Sequence, residues 1–371
     1  MNNMIIGLGN TGSMIVKSVL SSSLLKDVSL YAIDSVTSSV DLEMINRVNI
    51  IPIISDEKSG SGRNRERGRA MYEYHEEQGD FAEMYENAIN AKSPVIIVTS
   101  AAGGTGSGSC VALCKALVSR GVTPVPIIIC PNPSDPDAFH LNTNDLFIEL
   151  SEIEDDEGEP GIKSYSVFQN PKDSADYTPI NNEVVNLIEI ILGKRYTATE
   201  RDSIDDSDLD TLLSMPGRFI AVSASSTSVD ELRKEIARKV FSGYQPAWTM
   251  DEAEKHTFMT GYSLTSMFAD KDFDDVFEDI RKRIVNSYDE YRNIAPNDND
   301  GKCDAIAIIA GLPRIQVKDI DNEYVGVGSI GEGIKKSKRP SFIKKKKASI
   351  ETETTSTNEG SKEVLNKFKW K

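Results

Sequence analysis

A buried strand that leads directly into a glycine-rich turn and then a helix is the strongest constraint on the fold of this chain. The apolar run 95–98 precedes a loop, 103–108, in which four of six residues are glycine. Without Cβ atoms such a backbone approaches a ligand closely, and the N–H groups of the turn and the following helix bind phosphate. A flexible Gly/Ser linker would not explain the flanking strand and helix. The predicted phosphate contacts are Gly103, Gly104, Thr105, Gly106, Ser107 and Gly108.

The N-terminus shows the same pattern a second time. Residues 4–8 predict a strand, and a Gly-x-Gly-x-x-Gly turn that contains Gly9, Asn10, Thr11 and Gly12 precedes a helix. Alone, this motif is typical of a dinucleotide-binding Rossmann enzyme, in which Asp34 at the end of the next strand would bind the ribose. A turn or a helix cap explains Asp34 equally well.

The segment 62–69 combines a glycine turn with four arginines. Guanidinium groups in such a turn neutralise phosphate oxygens or the acidic surface of a neighbouring subunit. A solvated basic loop is the alternative for Arg63, Arg65 and Arg67.

These loops together resemble those of one family. Loop 103–108 lacks the Gly-Lys-Ser/Thr ending of a P-loop and resembles the phosphate loop of the tubulin superfamily, which includes FtsZ and the plasmid- and phage-encoded TubZ-type partition GTPases. Segment 62–69 is similar to the Gly-x-Asn-x-Glu-x-Gly-Arg loop that senses the γ-phosphate in FtsZ-like proteins. This resemblance implies that Gly62, Asn64, Glu66 and Arg69 are binding residues. The resemblance implies a GTP/GDP site, Mg²⁺ associated with the phosphates, and head-to-tail self-association. An NAD-binding Rossmann enzyme is a remote alternative, because it leaves both loops unexplained.

Three more binding positions are implied by the resemblance. Asp137 lies in the loop from which tubulin-like proteins contact ribose. Asn170 follows a strand and Asn182 opens a helix similar to the tubulin central helix, and both are implied to bind guanine, whose edge a carboxamide matches. Helix capping is the alternative for Asn182.

The acidic run 203–210 resembles the FtsZ loop Asn-x-Asp-x-x-Asp, which enters the nucleotide pocket of the next subunit. Asp205 and Asp208 match the two acids and are implied to position the attacking water. Ser203 replaces the asparagine of that motif. The alternative is an acidic helix N-terminus, which is favourable without any catalytic role.

The predicted fold class is α/β. The resemblance implies a Rossmann-like parallel-sheet GTP-binding domain over 1–180, a central helix over 181–200, a smaller α/β activation domain over 201–325 with the catalytic loop at its start, and a flexible basic tail over 326–371. The apolar periodicity of the central helix stops near Gly193. In the activation domain the pattern predicts strands at 218–223, 259–268 and 305–310, and helices at 229–241 and 274–291.

Composition limits the other classes. No apolar run approaches the ~20 residues of a membrane span, and no charged segment precedes an apolar one at the N-terminus, so we expect a cytoplasmic protein without a span. The four cysteines fit no zinc spacing and are expected to be buried thiols, and no protein-only metal site is predicted.

Charge separates the body of the chain from its tail. The chain carries −16 and residues 333–371 carry +8, which leaves −24 for the rest. A basic tail on an acidic body contacts nucleic acid, an anionic membrane or an acidic partner, and this tail resembles that of the TubZ-type proteins, which move DNA through a DNA-bound adaptor at a centromere complex. The predicted function is therefore a GTP-hydrolysing filament for plasmid or phage DNA segregation, with an FtsZ-like division filament as the alternative.

Overall fold

The computed structural model describes residues 2–36, 41–54, 60–92, 94–171, 176–197, 203–245, 257–284, 286–296 and 301–315. The tail predicted over 326–371 lies outside the described residues. Every predicted binding and catalytic residue lies within them.

Ten strands form one continuous sheet in the described chain. They are β1 Met4–Leu8, β2 Ser29–Asp34, β3 Asn49–Pro52, β4 Val95–Ser100, β5 Pro124–Cys130, β6 Ser164–Gln169, β7 Gly217–Ser226, β8 Phe258–Ser266, β9 Ser287–Pro296 and β10 Cys303–Leu312. Their order in the sheet is β3-β2-β1-β4-β5-β6-β7-β10-β8-β9. All neighbours from β3 to β7 are parallel, and β10 runs antiparallel to both β7 and β8.

Helices connect the parallel strands. They are α1 Gly9–Leu20, α2 Leu42–Arg47, α3 Arg65–Glu77, α4 Ala82–Ile89, α5 Thr105–Val118, α6 Asp137–Ser151, α7 Thr178–Ile191, α8 Asp206–Ser214, α9 Val229–Ser242 and α10 Ala269–Arg281. Because β1, β4, β5 and β6 are each followed by a helix, the strand ends and helix N-termini share the carboxyl edge of the sheet, where ligands bind in such folds.

The helices bury apolar side chains on both faces of the sheet. Helices α3 to α6 cover one face of β1 to β6, and α1, α2, α7 and α8 cover the other. A third cluster joins α9 and α10 to β7, β8 and β10. Helix α7 also packs against the second half of the sheet, since Leu187 and Ile188 lie in one cluster with Phe219 and Ile308. The central helix therefore belongs to both halves.

The two halves of the sheet are joined by a very short ladder. Strands β6 and β7 pair only at Ser164 with Gly217 and at Tyr165 with Arg218. Beyond these pairs the side chain of Gln245 bridges the strands: its Nε2 donates to the carbonyl of Ala221 at 2.9 Å, and its Oε1 accepts from the Ala221 N–H at 3.0 Å and from Ser166 Oγ at 3.3 Å. One buried amide thus replaces backbone pairing at the joint.

The structure confirms the predicted α/β fold with a largely parallel sheet, and strands form at 218–223, 259–266 and 305–310. The helix predicted over 274–291 is wrong in its second half, because α10 ends at Arg281 and β9 begins at Ser287. Pairing with β8 overrides the local helical preference of this polar segment. The central helix ends at Ile191, just before Gly193 with φ 68°.

All four cysteines are free and buried, as predicted. Among the described helices, none combines the length and apolar character needed to cross a bilayer.

Replacing Gln245 by alanine should lower the free energy of unfolding by about 2 kcal/mol, because the buried N–H and carbonyl of Ala221 then lose their partner. Urea denaturation measures the change. The exposed Gln78 provides the control, since Gln78→Ala should change stability by less than about 0.5 kcal/mol. Equal effects of the two substitutions would contradict the bridging role of Gln245.

Candidate functional site

A cleft of about 490 Å³ opens at the carboxyl edge of the sheet, above β1, β2 and β4. We call it the glycine cleft. Nine predicted binding residues line it together with other loop residues. The lining residues are Leu8, Gly9, Asn10, Thr11, Asp34, Ser35, Val36, Gly60, Ser61, Gly62, Arg63, Ser100, Gly103, Gly104, Thr105 and Gly106.

Two helices, α1 and α5, begin at the glycine cleft. Neither has a side-chain cap at its N-terminus, and neither has an acidic residue in its first turn. Their first N–H groups and the positive ends of their dipoles are therefore not neutralised by the chain itself. Two converging helix N-termini of this kind form an anion site.

The two helix starts touch at Gly9 and Gly106. Gly9 has φ 66°, and a Cβ there would lie 2.9 Å from the backbone N of Gly106. A Cβ at Gly106 would lie 2.7 Å from the carbonyl oxygen of Leu8. Only glycine allows this approach, which explains why the two glycine motifs occur in one chain.

Helix α3 packs on loop 103–108 in the same way. A Cβ at Gly68 would lie 2.2 Å from the carbonyl oxygen of Gly104, and one at Gly108 would lie 2.3 Å from that of Arg65. A Cβ at Gly104 would not project into free space, because it would meet Ser61 Oγ at 2.3 Å and the Asn64 N at 2.5 Å. Loop 60–64 therefore rests directly on loop 103–108.

Three hydroxyl groups connect the loops. Ser35 Oγ lies 2.6 Å from Thr105 Oγ1, and Thr105 Oγ1 donates to Ser61 Oγ at 3.1 Å. Since Thr105 has one hydroxyl hydrogen, Ser35 is the donor of the first bond. This direction leaves the hydroxyl hydrogen of Ser61 for another acceptor.

Asp34 is the acid that lines the glycine cleft. Its side chain is buried, Oδ1 accepts from the N–H of Ser35 at 2.7 Å, and Oδ2 is buried without a hydrogen-bond partner. Burial raises the pKa of this carboxyl to about 6, although hydrogen bonds from Ser35 and Val36 act in the opposite direction. An unpartnered buried oxygen at the cleft is suited to a ligand that donates protons or carries positive charge.

Six predicted binding residues lie beside the glycine cleft without lining it. Gly12 packs on β1 and β4, where a Cβ would meet the Val98 carbonyl oxygen at 2.5 Å, and Gly108 packs on α3. Asn64 caps α3 by accepting from the Arg67 N–H at 2.9 Å, and Glu66 lies exposed in the first turn. Arg69 pairs with Glu149, and Ser107 donates to the carbonyl of Gly103.

The predicted ribose and guanine residues lie farther along the same edge of the sheet. Asp137 is the first residue of α6, which follows β5. Asn170 comes directly after β6, and its N–H donates to the Cys130 carbonyl at 3.2 Å. Asn182 lies exposed in the first half of α7. None of the three lines the glycine cleft, and their binding roles stay predictions.

Asp205 and Asp208 form a capping box at the start of α8. Asp205 Oδ1 accepts from the N–H groups of Ser207 and Asp208 at 2.8 and 3.0 Å, and Asp208 Oδ2 accepts from the Asp205 N–H at 3.0 Å. Asp205 and Asp208 thus do stabilise a helix N-terminus, which was the alternative to a catalytic role. One oxygen of each carboxylate is outside the box.

Sequence reasoning missed the residues that connect the loops. Ser35 and Ser61 flank predicted positions, so their small polar side chains were a usable signal. Asn142, whose Nδ2 donates to the carbonyls of Arg63 at 3.1 Å and Ala102 at 2.9 Å, gave none. Glu149, which pairs with Arg65 and Arg69, also lies in an unremarkable stretch of α6.

No family model and no curated protein sequence matches the chain. Solved structures do. A GTPγS-bound protofilament of CetZ2 from Haloferax volcanii has a TM-score of 0.65 and 17% identity, with 85% of this chain and 94% of that chain covered. The chain has the tubulin/FtsZ fold. Phage c-st TubZ of Clostridium botulinum (TM-score 0.62, 15% identity, 85% and 94% covered) and an FtsZ dimer of M. jannaschii (0.61, 15%, 84% and 88%) are also similar.

These similarities confirm the predicted tubulin/FtsZ fold at identities too low to transfer an activity. Both TubZ and FtsZ share the fold to nearly the same degree.

Gly104→Ala should destabilise the chain by about 1–3 kcal/mol, because its Cβ would displace loop 60–64. Gly103→Ala is the matched control, since a Cβ at Gly103 meets nothing within 4 Å and should change stability by less than about 0.5 kcal/mol. Chemical denaturation of both variants checks the expectation. Two equally stable variants would mean that loop 60–64 does not depend on loop 103–108.

Asp34→Asn should stabilise the nucleotide-free protein, and the gain should grow as pH rises. The carboxyl ionises near pH 3.8 when unfolded and near pH 6 when folded, so ionisation opposes folding increasingly through this window and by a constant amount above it. The expected gain increases by about 2 kcal/mol between pH 4 and pH 7. Urea titrations at both pH values measure it, and a pH-independent gain would contradict the buried carboxyl.

Proposed function

We propose that this chain binds GTP in the glycine cleft and hydrolyses it at the contacts between subunits of a head-to-tail filament. The observation that carries the proposal is the meeting of two uncapped helix N-termini, α1 and α5, in a cleft lined by backbone of glycine loops. Such a site favours several phosphate groups over one, because each helix end contributes its own N–H donors. The tubulin/FtsZ fold supports a guanine nucleotide, since the CetZ2 neighbour is a GTPγS-bound protofilament.

Mg²⁺ fits this site only as a companion of the phosphates. The described residues contain no group of three or more His, Cys, Asp or Glu side chains that could hold a metal. Asp34 offers one buried, unpartnered oxygen at the cleft, which suits the hydration shell of a phosphate-bound cation. When bound, the cation would neutralise charge on the phosphate oxygens.

Base selection is assigned in this proposal to Asn170 and Asn182, and ribose contact to Asp137. The loop after β6 and the start of α7 lie at the carboxyl edge, and α7 packs on α1, whose N-terminus lines the cleft. A ligand anchored by its phosphates at α1 and α5 would therefore extend its base towards α7.

Hydrolysis is assigned to Asp205 and Asp208 acting on the nucleotide of the adjacent subunit. Neither acid lines the chain's own glycine cleft, which is what an acid that works in trans requires. The capping box fixes both carboxylates and leaves one oxygen of each to orient a water for attack on the terminal phosphate. The helix N-termini of the receiving cleft would stabilise the charge that develops in the transition state.

Movement or positioning of plasmid or phage DNA through an adaptor is the role that we propose for the filament. It rests on the basic segment 333–371, which contrasts with the −24 charge of the rest of the chain. A net acidic body repels bare DNA, so an adaptor protein is the favoured partner.

Asp205→Asn should keep the cap, since asparagine caps helices as well as aspartate does, and slow GTP turnover by about 10²-fold. Right-angle light scattering and phosphate release, with GTP, GDP and a slowly hydrolysed analogue, measure assembly and turnover together. Asp210→Asn in the same helix is the control. Wild-type turnover by Asp205→Asn and Asp208→Asn would exclude catalysis by these acids.

Truncation at Gly333 should leave folding and GTP turnover unchanged and abolish co-sedimentation with the cognate DNA–adaptor complex. Repeating the sedimentation at rising salt separates the routes, because direct phosphate contacts weaken steeply with salt. A truncated chain that still carries DNA, or that no longer polymerises, would contradict this assignment.

A further inference from the structure

Arg63 differs in its environment from Arg65 and Arg69 of the same segment. Arg65 is buried and its Nη2 lies 2.8 Å from Glu149 Oε2, with a second bond from Nη1 to Oε1 at 3.1 Å. Arg69 pairs with the same carboxylate. Both guanidinium groups are held by this one carboxylate of α6, so they act as a brace between α3 and α6.

Arg63 has no such brace. It lines the glycine cleft and is exposed, and no described acid forms an ion pair with it. Its guanidinium lies 4.8 Å from the centroid of the Phe139 ring, in a cation–π contact. Exposed contacts of this kind are weak and are readily exchanged for a charged partner.

The backbone of Arg63 is also unusual. Its φ is 64°, and it is the non-glycine residue with positive φ in the part of the chain that the structure describes. Residues with a Cβ persist in this conformation where their surroundings force it, and such positions cluster at ligand clamps. Here Asn142 supplies the constraint, because one amide holds both the Arg63 and Ala102 carbonyls and so fixes the residue against loop 103–108.

We propose that the Arg63 guanidinium binds the terminal phosphate of the nucleoside triphosphate and leaves the Phe139 ring when it does so. The inference rests on the proposed function and adds a residue that distinguishes GTP from GDP. A planar guanidinium makes two parallel hydrogen bonds to phosphate oxygens, which an aromatic ring cannot match. GDP lacks the group that would draw Arg63 from the ring, so its affinity should not depend on this side chain.

The test compares the affinities of GTP and GDP, in Mg²⁺ buffer, for the full chain and three variants by isothermal titration calorimetry. Arg63→Gly suits the positive φ and should fold normally, weaken GTP by about tenfold, and change GDP by less than about twofold. Arg63→Asn, which also tolerates this backbone, should behave alike. Arg120→Ala is the matched control, because Arg120 is another exposed arginine stacked on a ring, 4.0 Å from the Tyr85 centroid at the far end of α5.

The outcomes separate the two claims. A GTP-to-GDP affinity ratio that is the same in Arg63→Gly, Arg63→Asn and the unaltered chain overturns the role of Arg63 while GTP binding stands. Equal weakening of both nucleotides also overturns it, since that result marks a structural role. Absence of GTP binding by the unaltered chain overturns the proposed function and this inference with it.

Discussion

Direct contact between glycine backbones is the constraint on which the cleft depends. Gly9 meets Gly106, and Gly68 meets Gly104, at distances where a Cβ would lie within 2.9 and 2.2 Å of main-chain atoms. These contacts bring the starts of α1, α3 and α5 to one place without side chains between them. The N–H groups of two helices can then face the same volume, and that geometry gives the site its preference for anions.

The charged residues around the cleft divide between support and contact. Glu149 pairs with Arg65 and Arg69 and ties α3 to α6, while Asn142 connects Arg63 in loop 60–64 to Ala102 just before loop 103–108. Helix α6 therefore holds loop 60–64, loop 103–108 and α3 together from outside the cleft. Asp34 and the hydrogen-bonded hydroxyl groups of Ser35, Thr105 and Ser61 lie inside the cleft. Asp34 Oδ2 and the hydroxyl hydrogen of Ser61 remain available there to a ligand.

The sequence predicts those features that depend on a residue and its immediate neighbours, and it does not predict those that depend on partners distant in the chain. Gly9 and Gly106 could be predicted, because tolerance of a positive φ and the absence of a Cβ are properties of the glycine residue itself. Strands such as β4 could be predicted because they are continuous apolar runs. Glu149 and Gln245 could not be predicted, because their partners lie far away in the chain and nothing in their own neighbourhood marks them. The helix predicted over the segment that forms β9 was wrong for a similar reason. Pairing with β8, and not the polar composition of the segment, decides its conformation.

The joint between β6 and β7 has a mechanical consequence. Two residue pairs and the Gln245 amide connect the nucleotide-side strands to the strands around β10. A side-chain amide can rotate away and return without breaking a backbone ladder, so this part of the joint resists torsion less than paired strands would. Elsewhere the halves are held by the apolar packing of α7 and α8 and by bonds such as that from Ser164 Oγ to the Leu213 carbonyl. The compliance of the joint beyond Tyr165 can therefore be tuned at position 245 without changing the backbone of either half.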